Sequence, residues 1–200
     1  MFAGHDTGSV ALTWAIFLLG RHQEIQQKVI DEVDSVFGGD IERPATTEDL
    51  KKLTYLEQVI KESMRMYPPA IMITREAVED CKVQGYKIPK GAQCLIFALI
   101  IHHNPRVWPE PEKFDPERFS KENSEGRNPF AYMPFSAGFR NCIGQRFAYQ
   151  EQKVILSSFF RNFRVVSHDD PDTLPVNVMM VLHPTHRLDI TVTKRTDVNR

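Results

Sequence analysis

Between Phe135 and Gly144 the chain reads FSAGFRNCIG, with Cys142 two residues after Arg140 and between Gly138 and Gly144. Cys142 falls just ahead of a segment with helical periodicity, where backbone N–H groups and a helix N-terminus stabilise a thiolate and Arg140 adds positive charge. Gly138 and Gly144 permit a tight turn and the close approach of a large flat ligand. This set suits a cysteine that ligates a metal held in a macrocycle. A thiolate nucleophile is the competing chemistry, and it needs a histidine base; seven histidines are present, none at a spacing that selects it. The other thiols, Cys81 and Cys94, sit in strand-like segments and read as small buried hydrophobes. Three cysteines without a C-x-x-C spacing argue against a disulfide framework and a structural zinc site, leaving reduced thiols in a cytosol-facing protein.

Two further pairs carry charge at suggestive spacings. Glu62 and Arg65 lie at i and i+3 and share a helix face, where the bland reading is a solvated ion pair of little worth. Asp6 and Thr7 are costly inside an apolar helix, because both residue types favour caps; with Met1 first in the sequence, an N-terminal cap explains them equally well.

The elements that must position these residues follow from periodicity. Apolar residues recur through Val10, Trp14 and Phe17, predicting a buried helix from Met1 to about Leu19 closed by Gly20. A second helix runs from about Gln23 to Phe37, stopped by Gly38-Gly39. A short helix starts at Thr47, and a longer one spans Tyr55–Met66 with Leu56, Val59, Ile60 and Ser63 inward, ended by Pro68-Pro69. Ile71–Thr74, Lys82–Ile88 and Gln93–Leu99 read as strands of a small sheet, broken at Gly85 and at Pro89-Lys90-Gly91. Six prolines between Asn104 and Pro134 remove too many donors for regular structure. Helical periodicity returns after Gly144 with Phe147, Ala148, Ile155 and Phe159 inward, and Val176–Thr193 suggests a terminal hairpin with Pro184 near its turn. The expected fold class is mainly α with a small β-sheet.

With 200 residues, 42% of them hydrophobic, the chain can bury a core as one domain or part of a larger one. Net charge is −1 with both signs interspersed, so nothing indicates a nucleic-acid surface. No apolar run approaches the roughly 20 residues of a membrane helix, and MFAGHDTGSV lacks the shape of a signal peptide.

The sequence resembles the cytochrome P-450 haem-thiolate mono-oxygenases, whose signature F-x-x-G-x-R-x-C-x-G is matched by Phe135, Gly138, Arg140, Cys142 and Gly144. Five fixed positions would arise by chance in roughly one of ten thousand chains of this length. Three weaker motifs follow the family's order: Glu62 to Arg65 resembles E-x-x-R, FDPERF from Phe114 to Phe119 resembles the proline-arginine-phenylalanine segment, and AGHDT from Ala3 to Thr7 resembles the oxygen-binding helix. Within the superfamily, GHDT, the PKG before Ala92-Gln93 and PFSAGFRNCIGQRFA look most like the fourth family, the fatty-acid ω-hydroxylase-like enzymes.

The resemblance implies heme b with iron ligated by Cys142, whose thiolate donates electron density that favours O–O cleavage. It implies Arg75 and Arg140 at the propionates, since forked planar donors suit carboxylates, and Phe135 beside the sulfur, limiting water there. Arg118 would join Glu62 and Arg65 in a buried network that holds the cysteine loop. Asp6 and Thr7 would lie mid-helix over the haem where the helix widens, Thr7 delivering protons; Gly8 stands where the family usually has a second threonine or serine. Many fourth-family enzymes esterify the haem through a glutamate at the place of Ala3, so no covalent link is expected here. Ala3, Ile71, Met72 and Ile73 would face substrate.

The implied activity is NADPH- and O2-dependent hydroxylation of a lipophilic, fatty-acid-like substrate. Electrons would come from an NADPH-dependent flavoprotein reductase docking near Arg140, Arg146 and Lys153, on the cytosolic face of the endoplasmic reticulum membrane. The alternatives are a truncated, non-catalytic haem-binding fragment and a hydroperoxide isomerase of the same fold. Retention of Asp6-Thr7 argues against the isomerase, which needs no proton relay. The resemblance spans residues 1–194, only the C-terminal part of the family's usual protein, with residues 195–200 a frayed tail. It implies a fragment without the membrane anchor or the helices that roof the pocket, hence exposed apolar surface, poor solubility and weak haem retention.

Overall fold

A computed structural model describes residues 2–38, 40–171, 173–178 and 181–196, with the side chains of Phe2, Ala3 and Val178 outside that description. The chain is mainly helical with small antiparallel pairs. Helix α1 spans Phe2–Arg21, α2 Gln23–Phe37, α3 Thr47–Lys52 and α4 Thr54–Met66. Strands β1 (Met72–Glu76), β2 (Cys81–Val83), β3 (Tyr86–Ile88) and β4 (Gln93–Phe97) follow, then the short α5, Ala98–His102. The proline-rich stretch carries two 3-10 turns, Pro116–Phe119 and Pro129–Ala131, around α6, Lys121–Ser124. Helix α7, Gln145–Asn162, precedes β5 (Phe163–Ser167), β6 (Val176–Val178), β7 (Leu182–Pro184) and β8 (Ile190–Lys194).

The core lies where α1, α2, α4 and α7 meet. Trp14, Phe17, Val29, Ile60, Leu56 and Phe160 are buried there, and Trp14 stacks on Tyr67 with centroids 4.1 Å apart. Gly20 does not close α1. It lies inside the helix at the crossing with β5, and a Cβ there would run into Ser167 Oγ and lie 2.8 Å from Ser167 N. The glycine is present for close approach, which periodicity cannot distinguish from a stop. Gly38 does terminate α2, at φ +64°. Helix α3 starts at Thr47 as expected, and Thr46 ahead of it forms a capping box with Asp49. Hydrogen bonds from Arg43 and then from Thr46 hold the Asp49 carboxyl well below the usual range.

Among the described residues the strands form not one sheet but four antiparallel pairs: β1 with β4, β2 with β3, β5 with β8 and β6 with β7. Gln84 and Gly85, both at positive φ, make the tight turn between β2 and β3. Chain expected to continue as strand to Leu99 turns helical at Ala98. The terminal hairpin is likewise divided: Val176–Val178 pairs with Leu182–Pro184, while Ile190–Lys194 returns to Phe163–Ser167. Pro184 ends a strand rather than shaping a turn.

Helix α7 departs most from its apolar pattern. Phe147 and Ile155 are exposed, whereas Gln152, Leu156, Ser157, Phe160 and Arg161 are buried. Polar residues go inward because the packed surface offers acceptors: Lys153 Nζ donates to Leu50 O at 2.9 Å and Glu57 Oε2 at 2.6 Å, and Arg161 Nη1 to Arg43 O at 2.7 Å. Lys153 is therefore unsuited to a docking face. Cys81 is exposed and Cys94 half-buried, so the buried-hydrophobe reading fails for Cys81, which sits in a hairpin that nothing covers among the described residues. The tail boundary shifts as well. Arg195 is buried, with Nη2 2.6 Å from Asp34 Oδ2 and Nη1 2.8 Å from Phe160 O; residues 197–200 lie outside the described residues. The first helix is tied to the last strands by Trp14 Nε1 donating to Leu182 O at 2.7 Å and Ser167 Oγ to Phe17 O at 2.9 Å.

Candidate functional site

The cysteine loop is a set of tight turns between the second 3-10 turn and α7. Ser136 N donates to Met133 O at 3.2 Å, Asn141 N to Gly138 O at 3.1 Å and Cys142 N to Phe135 O at 2.9 Å. Ser136 and Gly138 both have positive φ, +64° and +79°, and at Gly138 the missing Cβ makes this inexpensive. Gly144 caps α7 without a side chain, and a Cβ there would be 3.8 Å from Cys142 Sγ. Cys142 is solvent-exposed at the end of this loop.

Beneath the loop lies a bonded chain that starts on α4. Glu62 and Arg65 are fully buried; Arg65 Nε donates to Glu62 Oε2 at 2.7 Å and Nη2 to Oε1 at 2.9 Å. Glu62 also accepts Asp115 N at 3.0 Å, and Arg118 Nε lies 3.3 Å away as an ion pair without hydrogen-bond alignment. Burial pushes the Glu62 carboxyl upward, opposed by the Arg65 hydrogen bonds. Arg65 Nη1 continues the chain to His102 O at 2.9 Å, and His102 Nε2 accepts Met133 N at 2.9 Å. Met133 opens the turn that leads to Phe135, whose carbonyl holds Cys142 N. As an acceptor His102 is neutral, and burial lowers its pKa to about 3. Sequence reasoning missed His102; its place between an apolar segment and a proline-rich loop gave no sign of a buried imidazole.

Cys142 opens onto a cavity of about 430 Å³ between α1, β1, the loop and α7, a size usual for small-molecule sites. Of the predicted residues, Thr7, Met72, Ile73, Arg75, Phe135, Arg140 and Cys142 come together on its walls. Ile71 does not: it is buried, one residue ahead of β1. Asp6 faces away from the lining, with Oδ1 3.8 Å from His183 Nε2. Ala3 falls outside the described side chains. Gly138 and Gly144 shape the loop without lining the cavity, and Glu62, Arg65 and Arg118 support it from below. Helix α1 is regularly α-helical around Thr7, so the widened turn is not seen. At Gly8 a Cβ would come within 3.3 Å of Glu151 Oε2, the end of a flexible side chain.

Arg75 Nη2 donates to Ser136 Oγ at 2.8 Å and Nη1 to Thr74 O at 2.9 Å; Arg140 is exposed, 5.8 Å from the Phe139 ring. Phe135 packs 5.3 Å from Tyr149. Gln152, which sequence reasoning passed over, lines the cavity and has a buried Oε1 without a hydrogen-bond partner. One thiol, two guanidinium groups, mostly apolar walls and an unsatisfied buried oxygen fit a flat, largely apolar ligand that carries carboxylates and a thiolate-seeking metal. Among the described residues no cluster of three or more His, Cys, Asp or Glu side chains could hold a metal ion by itself, and no helix is long and apolar enough to cross a membrane.

The family model described as Cytochrome P450 matches residues 1–192. The chain is 48% identical over 195 residues to cytochrome P450 4V2 of Homo sapiens, covering 98% of this chain and 37% of that protein. It is 45% identical over 195 residues to cytochrome P450 4c3 of Drosophila melanogaster, with 98% and 36% covered. Cytochrome P450 4F12 of Homo sapiens is 45% identical over 173 residues, 86% of this chain and 33% of that protein. The chain thus spans little more than a third of the length of the curated relatives it matches.

Proposed function

Because this chain belongs to the cytochrome P450 family, we propose that it supplies the haem-thiolate half of a mono-oxygenase that hydroxylates a lipophilic, fatty-acid-like substrate using NADPH and O2. The observation that carries this reading is the placement of Cys142, Arg75, Arg140 and Thr7 on the walls of one cavity. When bound, heme b supplies oxygen activation and transfer to a C–H bond.

The chain's own residues would prepare that chemistry. Cys142, fixed through its backbone N–H to Phe135 O, would ligate iron as a thiolate, and Phe135 and Ala148 would keep water from the sulfur side. Arg75 and Arg140 would bind the carboxylates as forked donors. Thr7 would hold a proton donor toward the opposite face of the cavity. Asp6, turned toward His183, would act from behind rather than at the wall. Met72 and Ile73 would offer apolar contact to substrate. With Ala3 in place of an esterifying glutamate, the haem stays non-covalent. Arg140 and Arg146, both exposed, would meet an acidic face of a flavoprotein reductase; Lys153, engaged with Glu57, would not. Retention of Asp6-Thr7 favours this reading over a hydroperoxide isomerase.

The test is the reduced, carbon-monoxide-bound difference spectrum of the purified chain beside Cys142→Ala. A long-wavelength Soret band lost in the variant supports thiolate ligation and leads to turnover with NADPH and reductase. A band at the position of a neutral ligand, or none, overturns it for this chain.

A further inference from the structure

Ser136 adopts a backbone that a serine has no intrinsic reason to adopt. Its φ of +64° lies in the left-handed region, which disfavours any residue with a Cβ and which glycine and asparagine enter most readily. Strain of this kind persists where the surroundings over-determine it, commonly at ligand clamps. Here the side chain supplies the second observation: Ser136 Oγ accepts Arg75 Nη2 at 2.8 Å across 61 residues of sequence. Thr74 O takes Nη1 at 2.9 Å. The guanidinium is thus tied from the loop and from its own strand, and no acidic side chain pairs with it among the described residues. Three of its five N–H donors remain for a further acceptor.

The position of this bond gives it a consequence. Ile73, Arg75, Met133 and Ser136 line both the Cys142 cavity and a neighbouring cavity of about 340 Å³, whose other walls include Ile96, Ile101 and Phe130. The Arg75–Ser136 bond stands on the partition between the two. Released from Ser136, the long arginine side chain gains rotamers that point into the second void, which offers apolar contacts and little else.

We propose that Ser136 is a positioning residue: its hydroxyl, presented by the left-handed turn, fixes Arg75 at the cavity wall so that the remaining donors meet a carboxylate of the bound macrocycle. This rests on the haem reading above. It extends that reading to a residue whose role neither the signature nor the charge pattern suggests.

The experiment is hemin titration of the whole chain, followed in the Soret region, for the unsubstituted protein, Ser136→Ala, Ser136→Gly and Ser136→Asn, alongside thermal melting of each apo chain. Ser136→Ala and Ser136→Gly are expected to bind hemin about five- to tenfold more weakly, the scale of one lost hydrogen bond of ordinary net strength. Ser136→Asn should bind near the unsubstituted level, because asparagine tolerates the backbone and offers an oxygen. Ser136→Gly should melt at or above the unsubstituted chain while binding less well, a divergence that a purely structural turn residue would not produce. Haem dimethyl ester, whose propionates carry no charge, should bind all four chains alike, and Ser136→Ala should have no added effect once Arg75 is changed to Gln. Equal hemin affinities across the series, or affinities that simply follow melting temperature, overturn the positioning role while leaving the haem reading intact. An unsubstituted chain that takes up no hemin overturns both.

Discussion

Replacing Glu62 by Gln tests the link between helix α4 and the cysteine loop. The carboxylate accepts two hydrogen bonds from Arg65, at 2.7 and 2.9 Å, and one from Asp115 N at 3.0 Å, with Arg118 at 3.3 Å. Glutamine keeps one acceptor oxygen but turns an NH2 toward the guanidinium. Arg65 retains His102 O and Pro111 O, so its hydrogen bonds are partly preserved while its buried charge is not. Removing one partner of a buried ion pair costs about 3–5 kcal/mol, a large share of the roughly 5–15 kcal/mol a folded domain holds. The assay is urea denaturation followed by far-UV circular dichroism, with the slope compared to confirm a two-state transition. Lys51→Met is the control: its pair with Glu48 has the same 2.7 Å separation but lies in solvent, and the change should fall within the error of the curve. Since Arg65 reaches Met133 through His102, hemin uptake by Glu62→Gln should fall together with stability. A loss below about 1 kcal/mol would refute the claim that burial, rather than the mere presence of an ion pair, gives this site its weight.

Gly20→Ala should destabilise the chain by about 1–3 kcal/mol through overpacking against Ser167, although the same change in an open helix would stabilise it; Gly4→Ala, with nothing within 4 Å, supplies that comparison in the same denaturation series. His102 has its pKa lowered from 6.5 to about 3 by burial, so its contribution is complete above pH 6.5 and is lost as pH falls from there toward 3. Stability measured between pH 7 and 5 should drop by up to about 1.4 kcal/mol per unit from this group, and His102→Gln should flatten that slope; an unchanged slope would count against the buried neutral imidazole. Arg195→Met should cost about 1.5–3 kcal/mol, the scale of hydrogen bonds to a charged partner, measured by the urea midpoint; no loss would restore the frayed-tail reading.

The helices were legible where one face is apolar and the other wet, as in α2 and α4. Helix α7 defeated the same reading because its buried face carries Lys153 and Arg161, whose heads reach Leu50, Glu57 and Arg43 far along the chain, partners that no local period encodes. Gly20 and Gly38 show the limit for glycine: one sits at a close crossing and the other in a left-handed turn, and in a single sequence they look alike. The strand segments were visible but their pairing was not, since Ile190–Lys194 chooses Phe163–Ser167 by packing rather than by proximity. At the site, Cys142, Arg140 and Gly138 announced themselves through spacing in one short stretch. Ser136 and His102 did not, because a backbone angle and a tautomer are properties of the assembled loop.

The ties between the first helix and the last strands also order events in time. Trp14 finds its acceptor at Leu182, and Phe17 finds Ser167, so α1 cannot complete its contacts until most of the chain has left the ribosome. At about 5–20 residues per second, some ten to thirty seconds separate the emergence of Trp14 from that of Leu182. Throughout that interval α1 can pack on α2 and α4, but the part of its face that meets α7 and β5 stays uncovered. The late strands thus complete contacts that the much earlier α1 has left open.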